Sequence, residues 1–167
     1  MWRNRNRTIG IDPTPRGYGF AVLEGPQRLV DFGTAAVPTL KTRGYVERVE
    51  ALIERYDPSV MVLEDPRGKG SRRSKRVARV IRELETLAWR RHVKVRRVSR
   101  AEVRTVFNES GWRKDEIAST LTGAYPALED SLPPKRKPWE AEREGMSVYD
   151  ALSFALSAFG PEEGEVR

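Results

Sequence analysis

Three acidic residues, far apart along the 167-residue chain, lie where folding could bring their carboxylates together. Asp12 ends the first apolar stretch, RTIGID, Glu64 ends another, VMVLE, and Asp150 lies early in the helical pattern SVYDALSFALSAF. If the strands ending in Asp12 and Glu64 are parallel neighbours, their backbones are about 4.8 Å apart at one edge of a sheet, where ligands bind. Three clustered acids repel each other; two divalent cations about 4 Å apart would relieve this repulsion and form a site that cleaves phosphodiesters.

Each acid also has an ordinary structural interpretation. Asp12 can cap the Pro- and Gly-rich turn that follows it, Glu64 can be a surface acid at a strand end, and Asp150 can be a favourable residue in the first turn of a helix. Any one of them taken alone favours this interpretation. The three together, in a basic chain, favour a metal site.

Composition narrows the chemistry and the partner. The chain has 31 Lys and Arg against 24 Asp and Glu, with a net charge of +7 and a pI near 10.0. A nucleic-acid partner is expected from this balance, although an Arg-rich composition without a binding role gives the same charge. There is no Cys and a single His, His92, so thiolate catalysis, disulfides and Cys-ligated zinc are excluded. Carboxylates select hard cations, Mg²⁺ or Mn²⁺.

The chain shows no membrane or export signal. No apolar run approaches the length of a membrane span, and the start MWRNRNRT lacks the apolar stretch of a signal peptide. We therefore expect a soluble, cytoplasmic protein without a membrane partner.

Apolar periodicity predicts an α/β fold. The predicted strands are Arg7–Asp12, Gly17–Leu23, Arg28–Val37, Val60–Leu63 and Lys94–Val98. The predicted helices cover TRGYVERVEALIERY, the stripe from Val77 to Ala88, RAEVRTVF after a capping Ser99, RKDEIASTLTGAY, and about Ser147 to Phe159. Trp89 is expected to be a packing residue rather than one that stacks on nucleic-acid bases. Pairing rules favour an antiparallel meander followed by parallel strands, so residues 1–167 are expected to form one domain with a mixed sheet flanked by helices.

Four segments, in the same order along the chain, resemble RuvC-type Holliday-junction resolvases of the ribonuclease H-like fold. They are IGIDPTPRGYGFAVLE, VMVLED, VSRAEVRTVF with GWRKDEIASTL, and SVYDALSFALSAF. The resemblance implies a five-stranded mixed sheet, with a three-strand antiparallel meander and two parallel strands. It also implies acid-bound Mg²⁺ and cleavage of DNA.

The resemblance assigns roles to individual residues. Asp12, Glu64 and Asp150 match the metal-binding catalytic acids, and Arg104 and Lys114 match basic positions near the scissile strand. Solvated helix charge is the ordinary alternative for those two. One position departs from the family: Ser147 stands where a second acid or a His is usual, which implies a weaker site or a borrowed ligand.

Two acids could substitute for the ligand missing at Ser147. Asp65 is near in sequence, but strand alternation points it away from Glu64. Glu144 could approach from the preceding loop.

A basic stretch, PRGKGSRRSKR, follows Glu64 directly. It is expected to lie beside the sheet edge that carries the acidic residues and to bind phosphate. The alternative is that these residues form a solvated helix face. The residues concerned are Arg67, Lys69, Arg72, Arg73, Lys75 and Arg76.

The leading hypothesis is a nuclease for Holliday or other branched DNA junctions, with two Mg²⁺ or Mn²⁺ ions. The alternatives are an inactive nucleic-acid-binding protein on the same fold, a nuclease for structured RNA, and a phosphotransferase of the actin and sugar-kinase type. That last type needs two such domains, and this chain has length for one. A homodimer is expected by analogy with resolvases, which cut two strands symmetrically.

Overall fold

The computed structural model describes residues 6–38, 41–106, 114–131 and 145–159. The strands are β1 (Arg7–Thr14), β2 (Gly17–Glu24), β3 (Leu29–Ala36), β4 (Val60–Glu64) and β5 (Lys94–Val98). The helices are α1 (Thr42–Tyr56), α2 (Lys75–Arg90), α3 (Arg100–Val106), α4 (Lys114–Ala124), a 3-10 helix (Pro126–Ser131) and α5 (Met146–Ser157).

The five strands form one mixed sheet in the order β3-β2-β1-β4-β5. β1, β2 and β3 pair antiparallel, while β4 pairs parallel with both β1 and β5. The predicted meander with two added parallel strands is confirmed.

β1 is longer than predicted. It continues past Asp12 to Thr14, and Pro13 pairs with Tyr18 of β2. The pairing of β1 with β4 stops at Gly10, so the missing N–H of Pro13 costs no ladder bond on that side. Asp12 therefore lies within the strand, where the pairing with β4 has stopped and the pairing with β2 continues.

Helices cover both faces of the sheet, and side-chain alternation decides what each face contributes. On one face Ile9, Ile11 and Leu63 pack in a core with α1 and α2, whose largest buried residues include Tyr45 and Leu84. On the other face α5 lies directly against β1 and β2, and α4 packs beside it. α5 is buried over most of its length, as the central helix of that layer.

The surface of α2 differs from the expectation at one aromatic residue. Trp89 is 78% exposed at the end of α2, so the prediction that it is a packing residue is wrong. It lies outside the apolar stripe formed by Val80, Leu84 and Leu87, and the helix turns it towards solvent. None of the helices in the described ranges is long and apolar enough to cross a membrane.

Candidate functional site

Asp12 and Glu64 lie level with each other on neighbouring strands. The last residue pair between β1 and β4 is Gly10 with Val62, and each acid lies two residues further along its strand. Because side chains alternate, both carboxylates lie on the α5 face of the sheet. Both residues are buried, with 2% and 0% of their surface exposed. The parallel pairing that we expected for these two strands is confirmed.

α5 brings Asp150 to the same corner of the sheet. Glycines allow this helix to lie unusually close: a β-carbon at Gly10 would overlap the carbonyl group of Ala151, and one at Gly19 would overlap the backbone of Ser147. Asp150 is buried under this packing. Small residues in β1 and β2 thus position the third acid.

The prediction that Asp150 lies in the first turn of its helix is wrong. α5 begins at Met146, one residue earlier than predicted, and its first turn contains no acidic residue. Asp150 therefore lies beyond the first turn, where the positive end of the helix dipole acts most strongly. An arginine side chain supplies the positive charge instead.

Arg73 bridges the acids of the two strands. Its Nε lies 2.5 Å from Oε2 of Glu64, and its Nη2 donates to Oδ1 of Asp12. Its Nη1 donates to the backbone carbonyl of Pro13 at 3.0 Å, and the hydroxyl of Ser71 donates to the same Glu64 oxygen at 3.3 Å. Arg73 lies in the irregular connection between β4 and α2, just before the residue that caps α2.

Arg100 bridges Glu64 and Asp150 from the other side. Its Nε forms an ion pair with Oε1 of Glu64, and its Nη1 donates to Oδ1 of Asp150 at 2.8 Å. Its guanidinium lies over the ring of Phe154, 5.2 Å from the centroid. Arg100 is the first residue of α3, and Ser99 accepts a hydrogen bond from the backbone of Glu102, so the predicted Ser99 cap is confirmed.

Three carboxylates therefore face two guanidinium groups in a buried cluster, which we call the acid centre: Asp12, Glu64, Asp150, Arg73 and Arg100. Burial by itself lowers the pKa of Arg73, but Asp12 and Glu64 outweigh it and raise the pKa above its ordinary value. The pKa of Arg100 is raised in the same way, against burial, by Asp150, Glu64 and Asp12. Both arginines hold their charge at any physiological pH.

The acid centre as described does not fit a divalent cation. The donor set is suitable, because carboxylate oxygens are the ligands that Mg²⁺ and Mn²⁺ prefer. However, oxygens of all three carboxylates contact guanidinium groups. Within the described part of the chain, no group of three or more His, Cys, Asp or Glu residues is arranged to hold a metal ion. A metal site at these acids requires Arg73 and Arg100 to leave them.

Asp65 and Glu144 are the acids expected to substitute for the ligand missing at Ser147. Of these two, only Asp65 is described, and the hydrogen bond that its carboxylate accepts lies outside the acid centre. Ser147 is buried on α5, with its hydroxyl next to Gly19 of β2. Asp65 accepts a hydrogen bond from the backbone of Arg67 at 2.9 Å and so stabilises the turn after β4. Glu144 lies outside the described residues.

The predicted nucleic-acid-binding residues divide into two groups. The first group consists of exposed side chains that follow Glu64 in sequence and extend into the first turn of α2: Arg67, Lys69, Arg72, Lys75 and Arg76. Arg104 is exposed on α3, and the side chain of Lys114 lies outside what the structure describes. Arg73 differs from its neighbours because it is turned inward, with 15% of its side chain exposed. The binding role of all these residues stays a prediction.

Sequence reasoning missed Arg100 and Phe154 as members of the site. A signal for Arg100 was present: it follows β5 by two residues, and β5 lies beside β4 with Val98 opposite Glu64. A residue just beyond Val98 must therefore lie near the Glu64 carboxylate.

Comparison with known proteins gives the fold. The chain matches no protein-family model and no curated protein. Among solved structures it is similar to Thermus thermophilus RuvC, with a TM-score of 0.67 and 20% identity over 95% of this chain and 96% of that one. T. thermophilus RuvC in complex with a Holliday junction substrate matches at a TM-score of 0.66, also with 20% identity, 95% of this chain and 96% of that one.

A viral protein gives a weaker match of the same kind. Fowlpox virus resolvase, in complex with Holliday junction DNA, matches with a TM-score of 0.52 and 13% identity over 90% of this chain and 97% of that one. These likenesses agree with the strand order and the helical layers described above. The chain therefore has the ribonuclease H-like fold of RuvC-type resolvases.

Proposed function

We propose that the chain is a metal-dependent endonuclease that cleaves Holliday or other branched DNA junctions. The observation that supports this most directly is the convergence of Asp12, Glu64 and Asp150 from two strands and a helix at one corner of the sheet. Removing charged groups from water is costly, so three buried carboxylates that meet at one corner of a sheet are a functional-site candidate.

The fold and the surface support a branched DNA substrate. The RuvC and poxvirus resolvase structures that this chain resembles contain Holliday junction DNA. On this chain, the exposed basic residues from Arg67 to Arg76 continue directly from the strand that carries Glu64. Such a surface attracts phosphates in a salt-dependent manner. Arg104 and Lys114 are proposed to contact the strand that is cut.

Dependence on Mg²⁺ or Mn²⁺, with two ions at Asp12, Glu64 and Asp150, is part of the proposal. It is supported by the carboxylate donor set and by the fold. Because the acid centre holds guanidinium groups in the described arrangement, this dependence requires the centre to rearrange. A single domain over residues 1–167, a homodimer and a cytoplasmic location complete the proposal.

The experiment is cleavage of labelled four-way junction, flap, single-stranded DNA, RNA–DNA hybrid and structured RNA with Mg²⁺ or Mn²⁺. We expect junction cleavage that is lost with a chelator and in Asp12→Asn. Asp65→Asn is the matched control, because Asp65 is adjacent to Glu64 but its carboxylate binds the following turn. Cleavage that persists in Asp12→Asn contradicts the proposed site. Preferential cleavage of RNA contradicts the proposed substrate, branched DNA, and identifies RNA in its place.

A second candidate is a protein that binds branched nucleic acid without cutting it. Two observations favour this function. Arginines pair with all three carboxylates, and Ser147 stands where a second acid or a His is expected. Tight junction binding with no cleavage of any substrate in either metal would establish it.

A further inference from the structure

We propose that Arg73 and Arg100 form a latch that closes the acid centre to divalent cations until nucleic-acid phosphates draw the guanidinium groups away. The latch regulates the site of the proposed nuclease. Only its opening by nucleic acid rests on that proposed function; the closure rests on the contacts of the two arginines alone.

The contacts show that arginine and metal compete for the same atoms. Asp12 Oδ1, both carboxylate oxygens of Glu64 and Asp150 Oδ1 are engaged by guanidinium nitrogens. A divalent cation on these oxygens would lie within a few ångströms of a guanidinium charge. Like charges at this separation repel strongly in a buried site, and a divalent ion doubles the repulsion of a single charge. The arginines must therefore move before a cation binds.

Phosphate is the ligand best suited to move them. Guanidinium groups form strong, bidentate hydrogen bonds with phosphate, as they do with carboxylate. Both side chains keep a solvent-facing part, with 15% exposure for Arg73 and 16% for Arg100. Exposed Arg72 and Lys75 lie next to Arg73 in sequence, so a phosphate backbone bound there would come close to the latch.

The two arginines differ in how easily they can leave. Arg73 lies in an irregular connection, so it can turn outward without breaking a helix or a strand. Arg100 begins α3 and stacks on Phe154, which holds its guanidinium in place. One of its contacts is imperfect, because Glu64 Oε1 is buried and has no hydrogen bond of good geometry. Arg73 is therefore the first part of the latch to open.

Mn²⁺ binding by the full chain, measured from the paramagnetic resonance of free Mn²⁺, tests the latch without measuring cleavage. We expect weak binding by the wild type and at least about tenfold tighter binding by Arg73→Gln and Arg100→Gln, since each removes one repelling charge. Arg97→Gln is the matched control, because Arg97 pairs with Glu85 outside the acid centre. Equal Mn²⁺ affinity in the wild type and the two latch variants overturns the proposal.

A second arm adds four-way junction DNA in place of the substitutions, which keeps the test valid if a variant does not fold. We expect wild type with DNA to hold more Mn²⁺ than the DNA alone and more than Asp12→Asn with the same DNA. If the DNA adds nothing beyond these controls, the latch does not open to nucleic acid and the proposal fails. Failure of the nuclease proposal is distinguishable, because cleavage can be absent while the Mn²⁺ results hold.

Discussion

Among the described residues, two clusters in which arginine bridges carboxylates differ in burial. In the acid centre Arg73 joins Asp12 and Glu64, which are 2% and 1% exposed at their side chains. In a second cluster, Arg91 at the end of α2 joins Glu50 and Glu54 of α1, which are 37% and 60% exposed. We call this second group the helix-face cluster. The chemical groups are the same, and only their surroundings differ.

The difference in burial shows which cluster needs a functional explanation. Exposed ion pairs contribute little to stability and cost little to form. Buried charges lose their hydration, and replacing a buried ion pair with well-packed apolar residues is often neutral or stabilising. Stability alone therefore does not favour three acids and two arginines at the sheet edge. The acid centre holds buried charges in spite of their desolvation cost, which is a feature of sites that bind or react.

The largest expected effect comes from removing an arginine of the acid centre. Arg73→Ala or Arg100→Ala removes one of the two guanidinium groups that face three buried carboxylates. Because breaking a buried ion pair is costly, we expect the free energy of unfolding to fall by about 3–5 kcal/mol. Urea unfolding at neutral pH measures it. Millimolar Mn²⁺ should restore part of the loss in the variants, because the cation then replaces the missing charge.

A small loss of unfolding free energy in these variants would contradict the comparison of the two clusters. If Arg73→Ala unfolds within about 1 kcal/mol of the wild type, the acid centre behaves like an exposed pair. The interpretation of its burial would then be wrong.

A smaller effect is expected from the packing that holds Asp150 in the acid centre. In Gly10→Ala the new methyl group meets the backbone of Ala151, so α5 must shift; we expect about 1–3 kcal/mol of destabilisation. Gly123→Ala is the control, since a β-carbon there meets no atom within 4 Å. Urea unfolding of both variants checks the prediction. Equal stability of the two would show that α5 does not depend on the glycine contact.

The sequence predicted the sheet and the corner of the fold where the acids meet. Apolar runs that end in Asp12 and Glu64 are sufficient to place both residues at one edge once the strands are parallel. The sequence did not predict which basic residue turns inward. The basic stretch contains three similar arginines: Arg72, Arg73 and Arg76. Only the three-dimensional position of the loop after β4 directs Arg73 to the carboxylates.

The error at Asp150 has a similar origin. A shift of one residue in the start of α5 moves Asp150 out of the first turn, and helix ends are the least certain part of a periodic pattern. The counter-charge of Asp150 then comes from Arg100, a residue distant in sequence, through a contact that local pattern does not encode.

The smallest effect is expected in the helix-face cluster, and it completes the comparison. Arg91→Ala removes the contacts to Glu50 and Glu54, but water replaces them, so we expect a loss of stability several-fold smaller than that in Arg73→Ala. The loss should disappear in 1 M salt, where the screening length is about 3 Å, whereas the effect of Arg73→Ala should persist because buried pairs are screened much less. Urea unfolding of both variants at low and high salt measures this difference. Equal salt dependence would show that burial does not separate the two clusters, since an electrostatic interaction reached by solvent ions must weaken as salt is added.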